Sequence, residues 1–392
     1  MNIDDATIRD LLRLEDERGI LSFYTGHVPA QAADPQPTAP IELRNQIKQL
    51  RSRVGEGDRD TARAIERRLA TLDGSLGSLL DPKAPGRGRA LFVGVESGKQ
   101  RSVSLQLPFR ERVIHDSTAY VRPLVAALDE GRPATIVVVS RTGVRVLRWA
   151  TGDAEVTEEA RFEKDEELFH DSPGPSTNNP QRAMYARSDR EGYEERLDEH
   201  RRRFLKQVID DVVQRAGAEQ IDRLVLSAPP KLRNEVQAMV SDHEGLRVLV
   251  ADQAWESTPP KDIATQAWEL LRSVHGDREL ALVEAARERA LAGGAGALGL
   301  RNVCAALNAG RVEHLLYDDS IALEGFTSSE GTLHARIEGA IADSDVTFTR
   351  EPLFVERMIE AALATSASVT PLSEEAAINV RAFEGVAALL RW

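Results

Sequence analysis

The sequence predicts an α/β fold with α+β character, built as three units in which mixed sheets are flanked by helices. Three observations predict it. Apolar runs of strand length, such as "ATIVVV" and "RLVLS", alternate with segments of helical period. Glycine- and proline-bearing breaks punctuate the chain near 130–133 and 256–260. A length of 392 residues suits two or three domains, and a hydrophobic fraction of 42% is ample for ordinary cores.

The first unit, residues 1–130, opens with a helix over about Asp5 to Arg18, apolar at Ile8, Leu11, Leu12 and Leu14. "ILSFYTGHV" reads as a strand and "PAQAADPQPTAP" as a loop. From Ile41 a charged helical stretch runs on, broken into two helices at Gly55 and Gly57. "PGRGRALFVGVESGKQRSVSLQL" gives turn, strand, turn, strand, and "TAYVRPLVAAL" a short helix. The second unit, 131–256, opens with two strands joined through Arg141, Thr142 and Gly143, followed by a third segment. An acidic run, "EKDEELFHD", leads to a projecting loop over 171–190 and a long helix ending near Ala216. Then "IDRLVLSAP", "KLRNEVQAMV" and "LRVLVAD" alternate strand, helix, strand. The third unit, 257–392, starts with helices at about Ile263 to His275 and Arg278 to Ala292. A glycine turn, a helix, a glycine stop and a strand follow in "GGAGALGLRNVCAALNAGRVEHLLYDD". "MIEAALATSASVTPLS" reads as helix and strand, and "GVAALLRW" closes the chain.

Composition and motifs exclude several classes of function. Net charge is −13, which argues against a general nucleic-acid binder, although local basic patches survive within such a total. Cys304 is the only cysteine, so neither an intrachain disulfide nor a cysteine-rich zinc site forms, and its apolar surroundings "VCAAL" assign it to core packing. The eight histidines make no metal-ligand cluster; His170 and His200 read as surface residues, and Asp318 and Asp319 as a solvated strand end. No metal and no cofactor is expected. "GAGALG", Gly294 to Gly299, matches the spacing of a dinucleotide fingerprint, but that motif needs a strand before it. The preceding "VEAARERALA" is helical, so these glycines stop one helix and start another. The charged N-terminal stretch lacks a signal-peptide core, and no window reaches about 18 consecutive apolar residues. A cytoplasmic protein without a membrane span is expected.

The arginines carry the remaining information. Ile41 to Ala70 holds eight basic residues against five acids, among them Arg44, Lys48 and Arg51. Arg182 to Lys206 holds eight against six. Asp198 with Arg202, and Glu199 with Arg203, are spaced to pair on a helix face. Apolar residues crowd at the end of the long helix: Phe204, Leu205, Val208, Ile209, Val212 and Val213. Its first half offers only Tyr193 and Leu197. The helix is therefore expected to be rooted at one end and to project at the other, where "NNPQRAMYAR" (178–187) forms an arginine-bearing loop. Such an arm suits a phosphate-lined cavity, with the acidic run before it as a screen.

At this point "GGAGALGLRNVCAALNAGRVEHLLYDD" resembles the third domain of the archaeal and eukaryotic class I peptide-chain release factors and of Pelota. "QRAMYARSDREGYEERLDEHRRRFLKQVIDDV" is similar to the segment after the catalytic Gly-Gly-Gln in their second domain. The first domain, ending in "YVRPLVAALDEGRPATIVVVSR", looks like that of their bacterial relatives, the release-factor-like peptidyl-tRNA hydrolases and ribosome hibernation factors. The resemblance implies a three-domain release-factor-like architecture and a tRNA mimic in the ribosomal A site. It implies rRNA of the A site and peptidyl-transferase centre as partner, together with peptidyl-tRNA and a translational GTPase.

By the same resemblance Gln181 is the one residue carried over as catalytic, for placing water on the peptidyl-tRNA ester. Asn178, Asn179, Arg182, Arg187 and Arg190 would touch RNA at the peptidyl-transferase centre, and Arg44, Lys48 and Arg51 on the small subunit. The family's Gly-Gly-Gln is Asn179-Pro180-Gln181 here; Pro180 fixes its own φ and lacks an N–H. "NQIK", Asn45 to Lys48, lies in an expected helix rather than at a codon-reading loop tip, so the implied role is independent of the codon. Three readings stand: a factor that occupies the site to protect or rescue ribosomes, a peptidyl-tRNA hydrolase using Gln181, and a scaffold that binds proteins through acidic surface.

Overall fold

The computed structural model describes residues 3–26, 39–55, 58–162, 180–241, 243, 245–337 and 346–392, and for 180–194 the backbone alone. The chain forms two compact units: residues 133–273, and residues 1–132 together with 274–392.

In the discontinuous unit, α1 (Asp5–Leu12) precedes β1 (Ile20–Gly26), α2 (Ala39–Gly55), α3 (Arg59–Leu69) and α4 (Asp73–Leu80). Then come β2 (Gly88–Gly94), β3 (Gln100–Leu105), β4 (Arg112–Asp116) and α5 (Arg122–Glu130). The strands make an antiparallel sheet in the order β3-β2-β1-β4. Leu21, Phe23, Leu91, Val93 and Val113 from one face of it pack against Leu43 and Leu50 of α2 and Ile65 and Leu69 of α3. Helix α1 ends at Leu12, short of the expected Arg18, because Asp16 is used elsewhere. Its carboxylate accepts backbone N–H bonds from Glu96 and Ser97 at 2.9 and 2.8 Å and so brackets the β2–β3 turn. Strand β4 had no expected counterpart.

The continuous unit contains β5 (Ala134–Val139), β6 (Gly143–Ala150), β7 (Asp153–Arg161), α6 (Pro180–Ala218), β8 (Arg223–Ser227), α7 (Pro230–Ser241), β9 (Arg247–Val250) and α8 (Pro260–Ser273). Its sheet runs β7-β6-β5-β8-β9, antiparallel from β7 to β5 and parallel from β5 to β9. Side chains alternate across each strand. Val137 and Val139 therefore face α6 and α7, while Ala134, Ile136 and Val138 face α8. Burial on both faces explains why β5 reads as an unbroken apolar run. Helix α8 was assigned to the third unit, with a boundary after residue 256. Instead Ile263, Ala264, Ala267 and Leu271 pack beneath this sheet, and Trp149 Nε1 donates to the Ala264 carbonyl at 3.0 Å.

The chain then completes the first unit with α9 (His275–Leu291), β10 (Gly296–Leu298), α10 (Leu300–Asn308), β11 (Val312–Asp318), β12 (Gly325–Ser328), β13 (Leu333–His334) and β14 (Phe348–Glu351). The last elements are α11 (Phe354–Ala364), β15 (Ser368–Leu372), α12 (Glu374–Arg381) and β16 (Val386–Leu390). A four-stranded sheet, β10-β16-β11-β15, joins these, beside a small sheet β13-β12-β14. Between the expected helix stop and helix start lies β10, which pairs with β16; Gly299 then enters α10 at φ 80°, a conformation that glycine adopts without steric cost. No strand precedes α9's glycine exit, so the dinucleotide reading has no support here.

Buried ion pairs join the two parts of the discontinuous unit. Arg357 of α11 bonds Asp116, Thr118 and Glu360. Arg122, at the start of α5, bonds Asp319 at 2.6 Å and lies 5.1 Å from the Tyr317 ring centroid. Burial raises the carboxyls of Glu356 and Glu360 despite these arginines. Asp129 of α5 accepts from Arg278 at 2.9 Å, from Thr370 at 2.9 Å, and lies 3.4 Å from His275. Removing one partner from the buried Arg357 or Asp129 pairs costs about 3–5 kcal/mol, because the other is left charged and dry.

Candidate functional site

Helix α6 positions the site expected at Gln181. Its 39 residues correspond to a rod of about 58 Å. The apolar root is where the sequence put it: Leu205, Val208, Ile209 and Val212 are buried in the sheet core, with Phe204 and Val213 against them. Among the described residues, the core takes nothing from α6 before Phe204. One turn earlier, His200 and Arg201 rest on Phe162, which follows β7, with ring centroids 5.3 Å apart for the histidine and the guanidinium 6.0 Å away. Both phenylalanines, Phe162 and Phe204, meet edge-to-face at 5.6 Å.

The expected loop over 171–190 is different in its second half. Helix α6 begins at Pro180, so Gln181, Arg182, Arg187 and Arg190 lie on helix. Proline suits the first helical position, where its missing N–H would have had no acceptor, and its φ is already helical. Placing it within the 178–187 loop hid that role. Gln181 and Arg182 fall in the first turn, whose N–H groups have no partners within the helix. Asn178 and Asn179 lie outside the described residues, as do His170 and the acidic run from Glu163 to Asp171.

Farther along α6 the charges are partly self-compensated. Glu199 pairs with Arg203 at 3.1 Å as spaced. Asp198, however, takes Arg201 at 3.2 Å, and Arg202 turns to Glu235 of α7 at 3.7 Å.

The other basic candidates, Arg44, Lys48 and Arg51, sit on α2, exposed. Arg51 is paired with Glu66 of α3 at 2.8 Å. No described carboxylate reaches Arg44 or Lys48 within ion-pair distance. Packing of α2 on β4 adds a group that spacing did not show: Arg53 comes together with Arg110 and Arg112 around one groove. Only the packing of α2 on β4 brings Arg53 to the Arg110 and Arg112 pair, so no local pattern announces the three together.

Neither the histidines nor the acids assemble a metal site: no group of three or more ligating side chains occurs among the described residues. Asp318 is bonded by Arg381 and Ser320, and Asp319 by Arg122, so the strand end is occupied by protein partners. Cys304 is buried on α10, which pushes its thiol up to about 12 and leaves it unreactive. No helix among the described residues is long and apolar enough to cross a membrane.

Residues 120–278 match the family model described as bacterial archaeo-eukaryotic release factor family 10. Among solved structures, the chain is similar to an archaeal translation termination factor at 19% identity, covering 100% of this chain and 99% of that one, with a TM-score of 0.25. It is similar to ribosome-bound archaeal Pelota at 13% identity, with 99% and 94% covered and a TM-score of 0.42. Dom34 of S. cerevisiae, described as a translation termination-like factor involved in RNA quality control pathways and interacting with Hbs1, matches at 9% identity, with 78% and 80% covered and a TM-score of 0.37. No curated protein matches the sequence.

Proposed function

Starting from a chain that is a bacterial-type relative of the release-factor and Pelota translation factors, matched over residues 120–278, we propose that it occupies the ribosomal A site without reading a codon. It acts in the cytoplasm to protect idle ribosomes or to attend stalled ones. The observation that carries this reading is the shape of α6: a rod of about 58 Å held in its core only from Phe204 onward. That leaves roughly 36 Å of helix between Pro180 and the root, enough to carry a tip toward the peptidyl-transferase centre. In this reading Asn178, Asn179, Arg182, Arg187 and Arg190 meet rRNA, and α2 faces the small subunit. Residues resembling the third release-factor domain, 293–319, take the contact with a translational GTPase.

Occupancy rather than hydrolysis is favoured by one observation. Gln181 follows Pro180 inside the first helical turn, not in a glycine pair whose backbone could approach an ester closely. Ribosomes loaded with peptidyl-tRNA provide the test. At saturating protein no peptide is released, and the protein cosediments with ribosomes with an affinity that falls steeply as salt rises. Peptide release that disappears in Gln181→Ala would replace this reading with a peptidyl-tRNA hydrolase. Absence of any salt-sensitive ribosome binding would leave the acidic scaffold reading instead.

A further inference from the structure

We infer that the groove between α2 and β4 is a binding site for the sugar–phosphate backbone of double-stranded RNA. The groove measures about 630 Å³ and is lined by Gln46, Gln49, Ser52 and Arg53 of α2, by Arg110 just before β4, and by Arg112 and Ile114 of β4. Among the described residues one carboxylate lines it, that of Glu111, which accepts from the Gly26 N–H at 3.4 Å. Three guanidinium groups against one carboxylate stand out in a chain whose net charge is −13. Such a local excess is the electrostatic footprint of a polyanion site.

Two further features distinguish this groove from ordinary surface arginines. Arg53 and Arg110 are exposed, and no described carboxylate lies within ion-pair distance of either. Arg112 is preset: its Nη1 donates to the Tyr120 hydroxyl, and its guanidinium lies 5.7 Å from the Tyr120 ring centroid. Tyr120 is itself buried, and its backbone carbonyl accepts from the Tyr24 hydroxyl. A guanidinium held in place loses less freedom on meeting a phosphate. The neighbouring cleft between α2 and α3, about 580 Å³, shows the contrast. There Arg51 is taken by Glu66, Arg63 by Asp60 and Arg18 by Glu96, so three of its four lining arginines, all but Arg67, are already paired.

The rest of the lining selects among polyanions. Gln46, Gln49 and Ser52 supply donors and acceptors suited to phosphate oxygens and ribose hydroxyls. Among the described residues the lining presents no aromatic ring on which an unpaired base would stack. The site is therefore built for backbone, and an RNA helix displays backbone and 2′-hydroxyls on its outside. The inference rests on the ribosome reading only for where such RNA comes from.

The test uses the full chain, a fluorescein-labelled 16-base-pair RNA duplex and fluorescence anisotropy across a salt series. Arg53→Gln/Arg110→Gln removes two exposed cations that no described carboxylate pairs, so the unfolding midpoint stays at the wild-type value. Binding of the duplex weakens about tenfold at low salt, and the slope of log affinity against log salt becomes shallower by about 1.4 to 1.8, that is, two phosphate contacts. Unchanged affinity and slope in the variant, or a wild-type chain that ignores the duplex, overturns the site. Displacement of the duplex by polyglutamate at equal charge also overturns it, in favour of an acidic protein partner. A wild-type chain that binds the duplex but not ribosomes removes the proposed function and leaves the groove standing.

Discussion

His314 shows what a single buried residue contributes. It lies on β11, with its Nε2 2.8 Å from the Thr370 hydroxyl, which in turn donates to Asp129 at 2.9 Å. Burial, helped by the nearby Arg278 and Arg132 charges, lowers its pKa from the ordinary histidine value of 6.5 to about 4, against the opposing pull of Asp129. The folded state thus refuses a proton that the unfolded chain accepts between those two values. The resulting stability is fully present above about pH 6.5 and is lost as pH falls toward 4, by roughly 3 kcal/mol. Glu356 and Glu360 run the other way, since burial raises them and protonation favours the folded form. Comparison with His314→Gln isolates the histidine. Denaturant unfolding of both proteins at pH 7 and pH 4.5 should show the wild type losing about 2–3 kcal/mol more than the variant over that interval. Parallel losses would show that His314 carries no such shift. None of this was legible in the sequence, where "VEHLLYDD" marks a strand but not the charged neighbours brought from α5 and α9 or the hydroxyl from β15.

At the scale of elements, strands β5, β6, β8 and β9 were readable because each is an apolar run of strand length bounded by turn residues. Strands β4 and β10 were not. "RVIHD" has two apolar residues in five, and β10 is three residues whose pairing partner lies almost a hundred positions away. The root of α6 was legible because six apolar residues recur at helical spacing, whereas its start was not: Asn178, Asn179 and Pro180 serve loops and helix beginnings alike. The groove arginines escaped for the same reason as β4, on whose packing with α2 they depend. The division of α6 into root and rod gives a direct test. Proline at position 195 removes an interior hydrogen bond and clashes with the preceding turn, a local cost of about 3 kcal/mol. Glu195 is exposed and precedes the first core residue of α6 by more than two turns. Glu195→Pro should therefore leave the unfolding free energy of residues 133–273 within about 0.5 kcal/mol of wild type while abolishing ribosome cosedimentation. Undiminished binding would show that a straight α6 is not what reaches the ribosome.

In the whole molecule, one compact unit is inserted into another. Side chains far apart in sequence tie the two segments of the discontinuous unit together: Arg122 with Asp319, and Asp116 with Arg357. Residues 133–273 carry their own two-faced core, so the isolated fragment should fold cooperatively, shown by a single urea transition in far-ultraviolet circular dichroism. A fragment with no transition would mean that its core needs the rest of the chain. The insertion also sets an order of events during synthesis. Asp116 and Arg122 leave the exit tunnel well over 190 residues before Asp319 and Arg357 do. At about 5–20 residues per second that interval is roughly 10–40 seconds. The inserted unit can mature in that time, while the α5 end of the earlier segment waits with its charges unmatched. A nascent chain arrested before residue 319 would thus display a half-made electrostatic seam, a natural recognition mark for folding assistants that prefer unfinished surfaces.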